Sequence, residues 1–137
     1  MSRIINLESA GKERIQKTKY VALAVRELAR QHEYGNESRD LAAFIAMALT
    51  TISKTIDVSV TAWEKRDYWV KADKFRMEWA WSGVYAGKMK QAILIQDWDT
   101  ITRITTQIAQ KLNYVIIAPG HRMGRPWVGA WNVLQKQ

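Results

Sequence analysis

The chain has no cysteine, which excludes disulfides, thiolate metal sites and cysteine nucleophiles. It has only two prolines and seven glycines in 137 residues, and 47% of its residues are apolar, so it is expected to fold around a core. Long apolar runs are missing too. The longest extends from Leu41 to Leu49 (LAAFIAMAL), whereas a bilayer span takes about twenty residues, so neither a membrane-crossing helix nor a membrane partner is expected. The first residues turn polar at once and lack the apolar centre of a secretory signal, which makes the cytoplasm the expected location. Acidic residues are absent from one whole region, the last being Asp99. Beyond it stand Arg103, Lys111, Arg122, Arg125 and Lys136, so the stretch from Thr100 carries +5 of a net +8. A one-signed stretch creates a local field favourable to anions.

Chemical motifs are equally scarce. There is no G-x-x-x-x-G-K-[ST] loop, no G-x-G-x-x-G and no nucleophile elbow. Two histidines without a Glu-x-x-His pair argue against a metal site, and His32, on an apolar stripe near a helix end, reads as a satisfied or partly exposed side chain. The carboxylate pairs Asp97/Asp99 and Glu64/Asp67 fall at helix starts, where capping explains them. No catalytic residue, cofactor or metal is expected.

Helical periodicity dominates what is present. Residues 8–34, capped by Ser9 or Asn6, place Gly11, Ile15, Thr18, Ala22, Val25, Ala29 and His32 at 4-3 spacing, flanked by Val21 and Leu28, and Gly35-Asn36 supplies a stop. Residues 38–65, capped by Ser38, continue with Leu41, Ile45, Ala48, Ile52, Thr55, Ser59 and Ala62. Thr55 to Ala62 also alternates like a strand, but a lone strand has nothing to pair with, so helix is the reading. Residues 67–96, with Asp67 as the best cap, show Tyr68, Ala72, Phe75, Trp79, Ser82, Ala86, Met89 and Ile93 on one stripe; whether this helix continues the previous one stays open. Gly83 and Gly87, four apart, suit the close approach of a neighbouring helix or ring. Residues 98–112 bury Ile101, Ile104, Thr105, Ile108 and Leu112. The fold class is therefore all-α: an up-and-down four-helix bundle in a single domain over 1–137. Residues 113–137 form a non-helical basic tail packed on the bundle or on a neighbour.

Seven tryptophans remain to be placed. Those at Trp79 and Trp81 follow core positions, whereas Trp69 projects away from the Tyr68 stripe. In the tail, His121-Arg122-Met123-Gly124-Arg125-Pro126-Trp127 combines donors for phosphate, glycines that let backbone amides approach an anion, and a ring for stacking. His121, Arg122, Arg125, Lys111 and Arg103 are the candidate anion contacts, with Trp127 or Trp69 as stacking partner. A competing reading has Pro126, Trp127, Val128 and Trp131 plugging the end of the bundle while the arginines stay solvated. On the first helix, Lys12, Lys19, Arg26 and Arg30 fall towards one side and could join the tail in a positive surface. The expected function is non-enzymatic polyanion binding, as a nucleic-acid or nucleoprotein-associated small subunit. The alternative is a protein–protein or homo-oligomerisation module that uses the tail's Trp and Arg residues as anchors.

Overall fold

A computed structural model describes residues 6–137, and every regular element among them is an α-helix. The first, α1 (Leu7–Ala29), begins where the Asn6 side chain accepts a hydrogen bond from the Ser9 amide at 2.8 Å, satisfying a free donor of the first turn. It ends about a turn earlier than its periodicity suggests. Arg30 and Gln31 close it with bonds to the carbonyls of Glu27 and Leu28. The chain then leaves so that Tyr34 lies flat on Trp98, with ring centroids 4.5 Å apart and planes 2° from parallel. Gly35 is an extended residue that starts the next helix, not a left-handed stop. Ser38, expected as the cap, sits one turn inside, fully buried, donating to the Glu33 carbonyl at 2.7 Å.

The second helix, α2 (Asn36–Lys65), is continuous through Thr55 to Ala62. It is separate from α3 (Trp69–Leu94), and Asp67 makes the break by ending α2, not by capping α3. Asp67 takes a left-handed φ of 64°, its amide donates to the Glu64 carbonyl at 3.1 Å, and the Tyr68 amide donates to the Trp63 carbonyl at 2.9 Å. This paired return is the Schellman ending, here without glycine. The end of α3 repeats it: Gln96 has φ 53°, and the amides of Gln96 and Asp97 donate to Ile93 and Ala92. Helix α4 (Trp98–Lys111) then starts with the Asp97 carboxylate accepting from both the amide and the hydroxyl of Thr100.

Helix α2 is the centre of the molecule, packing against α1, α3 and a short α5 (Ala130–Gln135), while α4 packs on α3 and α1. α1 and α2 run antiparallel, since Arg14 meets Ser59 while Ser38 meets Gln31. α2 and α3 also run antiparallel, because Trp63 packs on Phe75 and Gly83 lies beside Ser53. A Cβ at Gly83 would stand 2.9 Å from the Ser53 hydroxyl, so this glycine allows the close approach, whereas Gly87 faces open space.

One core joins residues of all five helices with Trp127, and a small satellite forms around Ile56, Val60 and Ala72. The predicted apolar face of α4 is buried in full. By length and composition α2 also reaches what a bilayer span needs, which its longest unbroken apolar run did not suggest; 56% of that apolar window is buried inside the molecule. Two stripes hold in part: Thr18 and Val25 on α1, and Ala72, Ser82, Ala86, Met89 and Ile93 on α3, are buried as expected, while other positions turn outward. On α1 the core side passes through Ala10, Val21, Ala24 and Leu28, with Arg14 at the matching position, so Ile15 is swung outward. On α3, Val70, Met77 and Val84 form an exposed apolar line opposite the buried Ala72, Ala86 and Met89, and Tyr68 is exposed.

Candidate anion-binding groove

The groove arises from the one-residue rotation of α1. Arg14 turns towards the core, where its guanidinium donates to the Ser59 hydroxyl at 3.3 Å and the Thr55 carbonyl at 3.5 Å. The same group lies over the Phe75 ring, 4.8 Å from its centroid. These partners are all neutral, so desolvation dominates and burial lowers the Arg14 pKa from its ordinary value. Lys12, Ile15, Gln16 and Lys19 follow i, i+3, i+4, i+7 and so share the next face outward. Ile15 is 61% exposed on it.

The opposite wall is the chain that leaves α4. Val115 and Ile117 are partly buried while Ile116 between them is 90% exposed, the alternation of an extended segment although no strand forms. Between this wall and α1 lie two adjoining cavities of about 480 and 320 Å³, both touching Ile15, Lys19 and Ile116. Lys12, Tyr20, His121 and Met123 border the larger, and Arg14, Trp79 and Tyr114 the smaller. No acidic residue lines either one. Lys12 pairs with Glu8 at 3.2 Å, but both side chains are about four-fifths exposed, so that pair is weak and easily exchanged. Arg26, further along α1, borders a third hollow with Leu112 and Asn113, and it and Arg30 share Glu27 as an ionic partner.

The fold separates the candidate residues of the tail. His121 borders the groove, and its Nδ1 accepts from the Met123 amide at 3.2 Å, which directs the ring. Arg122 is exposed, with no ionic partner among the described residues. Arg125 is held in a 2.6 Å ion pair with Glu37 of α2. Arg103 and Lys111 are exposed on α4 and border neither cavity.

Neither expected stacking ring joins the groove. Trp127 is 3% exposed and part of the core, so it offers no face to a ligand. Trp69 is 54% exposed but opens α3 beyond the far end of α2. The tail docks at Glu37 and Asp40, and at 1.5 Å per residue the two places lie about 40 Å apart along α2.

The tail is not irregular to its end, and a residue that sequence reasoning passed over explains why. Asp40 accepts from the Gly129 amide at 3.1 Å and from the Trp131 amide at 2.9 Å, a carboxylate from α2 capping α5. Gly129 takes the left-handed φ of 84° that this entry requires. The signal available in sequence was only negative: after Gly129 nothing breaks a helix. The rings that the groove does expose, Tyr20, Tyr114 and Trp79, were also passed over as ligand contacts, because only the path after α4 brings them together.

The buried hydroxyls are engaged in hydrogen bonds within the fold. Thr18, Thr55, Ser82 and Thr105 each donate to a carbonyl of their own helix, and Ser59 accepts from Arg14. Among the described residues, no three His, Asp or Glu side chains gather where they could hold a metal ion. No protein-family model, no curated protein and no solved structure matches the chain.

Proposed function

We propose that this is a non-enzymatic, cytoplasmic polyanion-binding protein, a nucleic-acid or nucleoprotein-associated small subunit whose long helices form an up-and-down four-helix bundle. One observation carries the reading: Lys12, Arg14, Lys19 and His121 border a groove of two adjoining cavities with no acidic lining. Lysine and arginine in such a place neutralise phosphates and release counterions, the main source of affinity for a polyanion. Arg122 and Lys111, exposed and in no salt bridge among the described residues, add to the attracting field, as does the exposed Arg103, whose charge also acts on Asp97. The test is binding of a fluorescent oligonucleotide at stepped salt concentrations. The association constant should fall steeply with salt, and Lys12→Gln with Lys19→Gln should flatten the logarithmic slope by about 1.5, at roughly 0.7–0.9 per phosphate contact. Lys54→Gln, outside the groove, should leave it unchanged. Absence of binding at low salt would sink the proposal.

A second reading, self-association, is favoured by the exposed Val70, Met77 and Val84 on α3. It no longer draws on the tail, whose Trp127 is buried and whose Arg125 is paired. Light scattering over a range of concentrations, with Met77→Lys for comparison, decides it; a monomer throughout removes it.

A further inference from the structure

The groove has a property that phosphate binding does not require: most of its surface is apolar. Ile15, Ile116, Ile117 and Met123 line it, and Tyr20, Tyr114 and Trp79 bring aromatic rings to its border. A duplex shows a protein surface its phosphates and sugars, with the bases stacked inside and only their edges open in the grooves. An exposed isoleucine gains nothing from a phosphate. A single strand has bases free to leave the stack, and every base has a flat apolar face. Resting on the polyanion reading, we propose that the groove takes single-stranded nucleic acid, with bases in the apolar trough and phosphates along its basic border.

Residue positions divide the work. Tyr114, 62% exposed and bordering the smaller cavity, is the stacking platform. Trp79 is partly buried and stacked on Trp81 with centroids 5.7 Å apart, which fixes one face and leaves its edge to the cavity. Ile15 and Ile116 belong to both cavities, so they form the ridge between two successive base positions. Lys19 also belongs to both and lies one turn along α1 from Ile15, placed to reach the phosphate joining those bases. Lys12 and His121 continue the basic border beside the larger cavity. Charge complementarity selects this occupant over an apolar peptide or a lipid tail, since Lys12, Arg14 and Lys19 line the trough and no acidic residue does.

The experiment compares three labelled probes at low salt: a short oligothymidine strand, an abasic strand with the same number of phosphates, and a duplex of the same length. A ribose series run beside the deoxyribose one identifies the sugar by its tighter binding. The base-bearing strand should bind about tenfold or more tightly than the abasic one, because each stacked base adds substantially to affinity. Tyr114→Ala should erase most of that advantage, and Tyr114→Phe, which keeps the ring, should restore it. Equal affinity for abasic and base-bearing strands, or a preference for duplex, overturns the inference while leaving salt-sensitive polyanion binding intact. Failure of all three probes to bind removes the polyanion reading as well.

Discussion

Trp127 shows how one residue settles a question that composition leaves open. Beside two arginines it reads equally as a ring for a ligand and as a plug, and the structure places it in the core at 3% exposure. Its indole Nε1 is buried with no acceptor among the described atoms, so the ring is held there by packing. Trp127→Ala should therefore cost about 3–5 kcal/mol, as large-to-small changes in a core do. Trp127→Phe should cost much less, because it keeps most of the apolar contact and removes a donor that has no protein partner. Urea denaturation measures both; a small loss for the alanine variant would return Trp127 to the surface. Arg14 and Ile15 make a parallel case. Spacing puts Ile15 on the inner stripe of α1, yet Arg14 faces inward, satisfied by Ser59, Thr55 and the Phe75 ring. No pattern of apolar letters reveals an arginine that supplies its apolar stem to a core and finds neutral partners for its head.

At the scale of elements, helix faces were easier to read than helix ends. Ile101, Ile104, Thr105, Ile108 and Leu112 were legible because α4 is amphipathic, and the buried line of α2 for the same reason. Ends depend on single residues whose conformation is not written in their identity. Asp67 looked like a cap and is the left-handed end of α2, and Gln96 gave no signal at all. Both hold positive φ at a Schellman ending, where a side chain is strained and glycine is not. Asp67→Gly and Gln96→Gly should each stabilise the protein by about 0.5–1 kcal/mol, since both are non-glycine residues at αL positions. Thermal denaturation will show it, and a lowered Tm for either would mean that its side chain contributes more than its strain. The start of α4 carries a pH dependence. Side-chain and backbone hydrogen bonds from Thr100 hold the Asp97 carboxyl below its usual value of 3.8. A carboxylate with a depressed folded pKa contributes stability that is present above the unfolded pKa and lost as pH falls through the folded one. Asp97→Ala should thus lower Tm at neutral pH, and the two proteins should converge as the medium is acidified below about pH 3.8. A constant difference across that range would assign the effect to something other than the charged cap.

For the whole molecule, the groove depends on how its outer wall is suspended. The wall is the chain after α4, fixed at one end by Leu112 in the core and at the other by Trp127 and the docking of α5 on α2. This is why the sequence brought His121 to notice, with Lys12 and Lys19 as basic residues that could join the tail, but not Tyr114 beside them: that neighbour is set by a crossing over α1 that no local pattern encodes. The second anchor rests on Asp40, whose carboxylate takes the Gly129 and Trp131 amides 89 and 91 residues away. Hydrogen bonds to a charged acceptor are worth about 1.5–3 kcal/mol, so Asp40→Ala should loosen α5 and with it the wall. Two effects on polyanion binding then have opposite signs. Removing a negative charge makes the molecule more basic and by field alone tightens binding. Releasing the wall separates His121 and Tyr114 from Lys19 and weakens it. Tethering should win, because it alters contacts made at the ligand, whereas the field of one distant charge is screened within about 10 Å at moderate salt. Measured where circular dichroism shows both proteins folded, Asp40→Ala should bind an oligonucleotide more weakly than the parent, with Asp40→Asn, which keeps one accepting oxygen, in between. Tighter binding by the alanine variant would mean that the groove stands without α5, and that the tail beyond Met123 is an independent clasp on α2.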